Sequence, residues 1–341
     1  MTQSHMAREV AEIPEAAARF LNGSGAAVAR AADAMRACDP ALVVTVARGS
    51  SDHAATYLKY AFEIEAGIPV ASVGPSVASI YRRPLRLRQA VCLGISQSGR
   101  SPDIVEMMRS AGEGSALTIA VTNHADSPMA AASAHCLPLA AGEERSVAAT
   151  KTFVTSVLAG LALLAEWRGD AALRAALLRL PDDLAQAIAL DWEPLSARLA
   201  RASSAFVLGR GPGFAIANEA ALKFKETCGL HAEAYSAAEV LHGPAAIVQA
   251  HFPVLALGVE DAALPQLCAT AERLAAQGAD VFLTGADVAG ATRLPSVAGL
   301  HPMVAPLVGI AGFYAFIERL ARRRGLDPDA PPHLRKVTET V

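Results

Sequence analysis

The 341 residues are 52% hydrophobic and 18% charged, which excludes a disordered chain and provides core for one large domain or two of ordinary size. A formal net charge of −3 and an aromatic content of 5% supply neither a positive field nor stacking platforms, so nucleic acid and anionic membrane surfaces are excluded as partners and any anionic ligand needs a local site. The five cysteines (Cys38, Cys92, Cys136, Cys228, Cys268) form no C-x-x-C pair, which speaks against zinc and against a disulfide framework and suits reduced thiols in a cytoplasmic protein.

Residues 8–37 are expected as one or two helices with a break near Leu21–Gly25, and Glu9, Glu12 and Glu15 make this start too acidic for a signal peptide. Leu42–Ala47 reads as a buried parallel strand, ending in Arg48-Gly49-Ser50-Ser51-Asp52-His53 and followed by a helix to about Glu65. Further strands are expected at Val70–Val73, Ala90–Ile95, Ala116–Thr122 and His135–Leu139, then an apolar helix ending near Trp167. Residues 168–200 read as helical, punctuated by Pro181 and Pro194. Strands recur at Ala205–Leu208, Val254–Val259 and Val281–Thr284, with a long helix from about Phe214 to Gly229. Strands alternating with helices predict an α/β fold of open, doubly wound parallel sheets, with ligands at the carboxyl ends of strands. The stretch Val297–Phe316 is apolar but carries His301, Pro302 and Pro306, and reads as a buried loop and helix rather than a membrane span.

Leu93–Ile104 reads as strand, turn and helix N-terminus. Free N–H groups and the helix dipole favour an anion at such a terminus, and Ser96, Gln97, Ser98 and Ser101 add donors while Pro102 suits the first turn. A phosphate cradle and an ordinary serine-capped helix both fit these residues. Arg48-Gly49 and Arg210-Gly211 each precede a helix, and Lys59 with Glu63 and Lys223 with Glu226 come late in those helices, which predicts an internal duplication. In the second half Glu260-Asp261 follows the corresponding strand and would repel phosphate, so only one copy is expected to bind anions. Arg322-Arg323-Arg324 reads as a helix end, and the Pro-rich leader to Lys336 as either a disordered end or an arm into a site.

Gly209–Pro244 (GRGPGFAIANEAALKFKETCGLHAEAYSAAEVLHGP) resembles the second sugar-isomerase (SIS) domain of the glucosamine-6-phosphate synthase family. Ser96–Ser101 resembles that family's phosphate loop, Val147–Phe153 its V-A-S-T-K-A-F segment, and Pro332–Thr338 its carboxyl ending. The resemblance runs from about residue 40 to the end. It implies two tandem flavodoxin-like SIS domains at 39–170 and 201–325, a helical segment at 1–38, a helical linker at 171–200 and an active-site arm at 326–341. The family's glutaminase domain carries an N-terminal cysteine, whereas this sequence begins Met1-Thr2, so no glutaminase domain is expected. Arg48 stands where the synthase has cysteine, Arg100 where it has glutamate and Ser101 where it has threonine. These variants resemble the stand-alone glucosamine-6-phosphate deaminases of the superfamily.

The resemblance implies an aminosugar-phosphate deaminase yielding fructose-6-phosphate and ammonia, with another sugar-phosphate isomerase or an ammonia-using synthase as alternatives. A sugar-phosphate-sensing regulator would need a DNA-binding motif, for which the first 39 residues are short and acidic. By resemblance Glu226 is the base, Lys223 stabilises the developing oxyanion, and His242 opens the ring from a neighbouring subunit, which implies a homodimer. Lys336 matches the family's Schiff-base lysine. Ser51, Ser96, Gln97, Ser98 and Ser101 would bind phosphate, with Arg48, Gly49, Ser50, Arg100, Thr150 and Lys151 as further candidates near the sugar. Read from the residues alone, Lys223 and Glu226 are an i,i+3 ion pair and His242 a structural loop histidine. His231 and Glu233 read as structural, and no metal-ligand cluster or cofactor fingerprint is present.

Overall fold

A computed structural model describes residues 3–334 and Lys336. Three helices open the chain: α1 (His5–Ala11), α2 (Ile13–Gly23) and α3 (Gly25–Cys38). There follow β1 (Leu42–Val46), α4 (Ser50–Ala66), β2 (Val70–Ser72), α5 (Ser76–Ser79), β3 (Ala90–Ile95), α6 (Pro102–Glu113), β4 (Leu117–Thr122), α7 (Pro128–Ala131), β5 (His135–Pro138) and α8 (Lys151–Arg168). Then come α9 (Ala171–Ile188), α10 (Glu193–Leu199), β6 (Ser204–Gly209), α11 (Pro212–Cys228) and β7 (His231–Ser236). After 3₁₀ turns at Glu239–His242 and Pro244–Ile247 the chain ends in β8 (Pro253–Ala256), α12 (Leu264–Ala276), β9 (Asp280–Leu283), β10 (Ala291–Arg293) and α13 (Ala305–Arg323).

These elements form two compact units that do not follow chain order. The first-sheet unit holds Glu15–Glu144 and Lys151–Arg179; the second-sheet unit holds residues 3–14, 145–150, 180–334 and Lys336.

In the first-sheet unit the strands run β2-β1-β3-β4-β5, all parallel. Val43, Val44 and Val46 of β1 and every residue of β3 are buried, as expected of strands covered on both faces. The pairing Val46↔Gly94 sets the end of β1 beside the end of β3, so the turns that follow them are neighbours. The strand order reverses direction between β1 and β3, the place where such sheets bind ligands.

In the second-sheet unit the order is β7-β6-β8-β9-β10, again all parallel, which repeats the first order strand for strand. The repetition extends to backbone angles. Gly49 before α4 has φ 55°, ψ −131° and Gly211 before α11 has φ 55°, ψ −135°, a conformation that a Cβ would strain. Strands β7 and β10 were not expected from the sequence. His231–Ser236 lacks an apolar run because β7 is an edge strand, and β10 is an edge strand of three residues. Pro181 does not end a helix: α9 continues through it.

In this unit the sheet packs α12 through a largely aliphatic core, and the packing around α13 is aromatic. Phe224 of α11 meets Phe313 of α13 edge to face at 5.2 Å between centroids, and Trp192 packs on Phe316 at 5.6 Å while its Nε1 donates to the Pro295 carbonyl at 3.0 Å. Arg324, just past α13, donates Nε to the Cys228 carbonyl at 2.9 Å and Nη1 to those of Leu199 and Ala202 at 2.7 and 2.9 Å. It thereby satisfies carbonyls at the carboxyl ends of α10 and α11. The apolar stretch 297–316 is loop and the first turns of the buried α13, and no described helix is long and apolar enough to cross a membrane.

Candidate functional site

In the first-sheet unit, the serine turn between β3 and α6 is held rigidly. The Ser96 N–H donates to the Val121 carbonyl at 3.1 Å, the Gln97 carbonyl accepts from the Asn123 N–H at 3.1 Å, and the Gly99 carbonyl accepts from the Met129 N–H at 3.0 Å. Gly99 has φ +61°, and a Cβ there would lie 2.2 Å from Ser127 Oγ, so only glycine fits. Ser96 Oγ accepts from the Gly99 N–H at 3.2 Å, and Ser98 Oγ from the Arg100 N–H at 3.3 Å. Ser101 is the N-cap of α6 yet its side chain makes no capping bond. That departs from the serine-capped-helix reading and leaves the hydroxyl available to a ligand at a helix N-terminus.

Ser50 and Ser51 begin α4 after Gly49, in the turn beside the serine loop. Arg48 Nε donates to Asp103 Oδ2 at 2.6 Å, a pairing that sequence spacing could not reveal across 55 residues. Burial is the main influence that raises the Asp52 carboxyl pKa, against the lowering effect of His53 and Arg48. Arg100 is exposed at the rim of the loop. Lys151 is buried at the start of α8, whose first turn is capped by Glu144: the Thr152 N–H donates to Glu144 Oε1 at 3.2 Å and Thr152 Oγ1 to Oε2 at 2.6 Å.

In the second-sheet unit, α11 carries a buried charge triad. Lys223 has no exposed surface; its Nζ lies 3.3 Å from Glu219 Oε1 and donates to Glu226 Oε2. Glu219 is equally buried and accepts from the Tyr314 hydroxyl at 2.9 Å, whereas the Glu226 side chain keeps 18% of its surface exposed. Burial alone would push the Lys223 ammonium down, but the charges and hydrogen bonds of Glu219 and Glu226 outweigh it and hold its pKa above the ordinary lysine value. Lys223 is therefore a fixed cation, and Glu226 is the carboxylate of the triad with access to solvent. Glu219 was missed in the sequence, although i,i+4 spacing to Lys223 was its signal.

The corresponding pair on α4 is of another kind. Lys59 Nζ donates to Glu63 Oε1 at 2.6 Å and to the Val70 carbonyl at 3.1 Å, and both side chains are about one third exposed, which marks a structural tie to β2.

His242 closes a 3₁₀ turn and is exposed, as is His231 on β7. Glu233 accepts from the Tyr235 hydroxyl at 2.8 Å. Lys336 Nζ donates to the Ser146 carbonyl at 2.7 Å, so the tail lysine meets the segment holding buried Thr150. Arg335 and residues 337–341 of the proposed arm lie outside the described residues. A separate cleft, about 660 Å³ of space continuous with solvent, opens at the carboxyl edge of β6, β8 and β9 between Trp192, Ile216, Leu257, Thr284, Leu300 and Val308. Of the residues named from the sequence, Glu260, expected to repel phosphate, lines it, and none of the candidate catalytic or phosphate-binding residues does.

Comparison with known proteins accords with this two-sheet arrangement. The SIS domain pattern matches residues 40–166 and 198–285. The chain is 33% identical over 315 residues to the glutamine–fructose-6-phosphate aminotransferase (isomerizing) of Symbiobacterium thermophilum, covering 86% of this chain and 51% of the relative. It is 36% identical over 309 residues to that of Halobacterium salinarum, covering 85% and 50%. The chain thus spans about half the length of these curated relatives.

Among solved structures, a protein provisionally named a phosphosugar isomerase from Silicibacter pomeroyi superposes with TM-score 0.93 at 54% identity, covering 96% of this chain and all of that one. The C-terminal domain of glucosamine-fructose-6-phosphate aminotransferase from Francisella tularensis gives 0.86 at 25% identity, covering 97% and 99%. A glucosamine-6-phosphate deaminase from Thermotoga maritima shares the fold, at TM-score 0.79 and 20% identity over 99% of this chain and 100% of that one. With both sheets matched over more than half of its length, the chain belongs to the SIS domain family.

Proposed function

We propose that the chain is an aminosugar-phosphate deaminase/isomerase that turns glucosamine-6-phosphate and water into fructose-6-phosphate and ammonia. The observation that carries the reading is the triad on α11: a buried ammonium clamped by one buried carboxylate and by a second, solvent-accessible one. A structural ion pair needs no burial, as Lys59–Glu63 illustrates. The names of the aminotransferase relatives, and of the deaminase with the same fold, suggest a sugar 6-phosphate with nitrogen at C2.

In this reading His242 moves the ring proton that opens the pyranose. Glu226 takes the C2 proton, and the Lys223 cation offsets the negative charge that develops on O1. Return of a proton to C1 leaves a C2 imine. Lys336 supplies the amine of a Schiff base with the open-chain sugar: its Nζ adds to the C2 imine, ammonia leaves, and water then cleaves the lysine imine to fructose-6-phosphate and the free amine, so atoms balance without a redox change. Ser51, Ser96, Gln97, Ser98 and Ser101 hold the phosphate, with Arg48, Gly49, Ser50, Arg100, Thr150 and Lys151 in supporting contacts. His242 is exposed in the single chain, as a side chain offered to a second copy would be, which supports a homodimer with shared sites. The five thiols form no disulfide in the described structure, which is compatible with work in the cytoplasm.

The 54% identical neighbour named a phosphosugar isomerase favours a second reading, aldose–ketose isomerisation by the same proton transfer on a sugar without the amine. Incubating the protein with glucosamine-6-phosphate and measuring ammonia and fructose-6-phosphate separates the two. Both products are expected. Interconversion of aldose and ketose phosphates without ammonia would favour the isomerase, and no turnover of either class would sink the enzymatic reading.

A further inference from the structure

Helix α1 has seven residues, too few to persist alone, and it is fastened at both ends. At its start, the His5 and Met6 N–H groups donate to Asp329 Oδ2 and Oδ1 at 2.6 and 2.8 Å, and the Ser4 hydroxyl donates to Glu318 Oε1 at 2.7 Å. At Glu9 the helix holds a different part of the second-sheet unit. The Glu9 carboxylate, 4% exposed, accepts from the Arg145 N–H, from the Ser146 N–H at 3.2 Å and from the Ser146 hydroxyl. The Ser146 carbonyl in turn accepts from Lys336 Nζ at 2.7 Å. Met6 and Val10 are buried and anchor the helix between these two attachments.

The contacts close a ring. Asp329 lies seven residues before Lys336, so α1 grips both the approach to the lysine and the peptide that accepts its amine. A buried carboxylate is costly unless its lone pairs are filled, and here backbone N–H groups and a hydroxyl fill them. That cost ties the conformation of residues 145–146 to the presence of a charged acceptor at position 9.

We propose that Glu9 is a positioning residue: through Ser146 it sets where the Lys336 amine is presented. The role assigned to Lys336 rests on the function proposed above, whereas the mechanical link does not. Glu9→Gln is nearly isosteric but removes the charge and turns one acceptor into a donor that faces the Ser146 N–H. Amide hydrogen exchange at Arg145 and Ser146 should then rise about tenfold or more while α11 and the first sheet keep their protection. Acetylation of Lys336 by acetic anhydride, read by mass spectrometry, should change by about threefold or more. With glucosamine-6-phosphate, kcat should fall about tenfold or more and KM should stay within about twofold, because a misplaced reacting group leaves the rest of substrate binding intact. Glu9→Asp should fall between Gln and the parent, and Arg8→Ala, at an exposed site on the same helix, should match the parent throughout.

Unchanged exchange and unchanged Lys336 labelling in Glu9→Gln would overturn the link. Altered exchange with kcat unchanged in an active enzyme would overturn the positioning role. If the parent protein turns over no sugar phosphate, the function proposed above fails, and the exchange and labelling arms still decide the link. If Glu9→Gln does not fold, Glu9→Asp carries the same measurements.

Discussion

Arg48 and Asp103 join the two strand-end turns of the first sheet. Arg48 Nε donates to Asp103 Oδ2 at 2.6 Å, the carboxylate fully buried and the guanidinium half exposed. The second carboxylate oxygen accepts from the Ile104 N–H at 2.8 Å, so Asp103 faces the body of α6 and Arg48 neutralises a charge that would otherwise oppose an anion at this helix end.

Removing the cation should therefore cost stability. Arg48→Met leaves a buried carboxylate short of a donor, a loss of roughly 1–3 kcal/mol once the solvent exposure of Arg48 is allowed for. Urea unfolding of Arg48→Met, Asp103→Asn and the double variant is the check. The double variant should lose less than the sum of the single ones.

Ligand protection tests the serine loop. Inorganic phosphate should raise the thermal midpoint of the parent protein, and Ser96→Ala or Ser101→Ala should reduce that shift. Gly99→Ala should abolish it with a loss of roughly 1–3 kcal/mol in stability, because the positive φ and the 2.2 Å approach to Ser127 Oγ leave no place for a methyl group.

The triad on α11 separates chemistry from stability. Glu226→Gln should lower turnover of glucosamine-6-phosphate by roughly 10²–10⁴-fold with substrate affinity retained, since Lys223 keeps Glu219 as its partner. Lys223→Met instead strands the buried Glu219 carboxylate and should cost about 3–5 kcal/mol in unfolding free energy. Steady-state kinetics for the first and denaturant unfolding for the second are the measurements.

The raised pKa of Lys223 gives a pH signature. Its folded-state value exceeds the ordinary 10.5, so the folded chain holds this proton more tightly than the unfolded one. The stabilisation is whole below pH 10.5 and is lost as pH rises through the folded value. Alkaline unfolding of Lys223→Met should lack this component, so its stability should differ less from the parent as pH climbs past 10.5.

Thiol chemistry should follow burial. Burial pushes the Cys92 thiol up to about 12 and the Cys228 thiol up to about 11, the latter only partly offset by its contact with Thr227. In the native protein at mildly alkaline pH these two should resist alkylation, and in denaturant they should label. Mass spectrometry of iodoacetamide adducts reads the difference.

Buried runs were the legible part of the fold. Leu42–Val46 and Ala90–Ile95 announce themselves because parallel strands covered on both faces must be apolar along their length. His231–Ser236 does not, since an edge strand tolerates His231, Glu233 and Tyr235. In the candidate site, Ser96–Ser101 and Lys223–Glu226 were readable as local patterns. Glu219 was not singled out, because spacing along a helix cannot distinguish a solvated carboxylate from one enclosed by Tyr314. Glu9 was readable only as an acidic residue of a helix, for its partners Arg145 and Ser146 lie 136 and 137 residues away. Asp103 was hidden in the same way by its distance from Arg48.

Arg324 collects the carbonyls of Cys228, Leu199 and Ala202 with one guanidinium, itself at the close of α13. Three helix ends thus share a single fastening. Arg324→Ala is therefore expected to raise amide hydrogen exchange at the carboxyl ends of α10 and α11 together rather than at one of them alone. The helix bearing Lys223 and Glu226 is thus tied at its carboxyl end by a residue nearly a hundred positions further along the chain, which touches none of the triad.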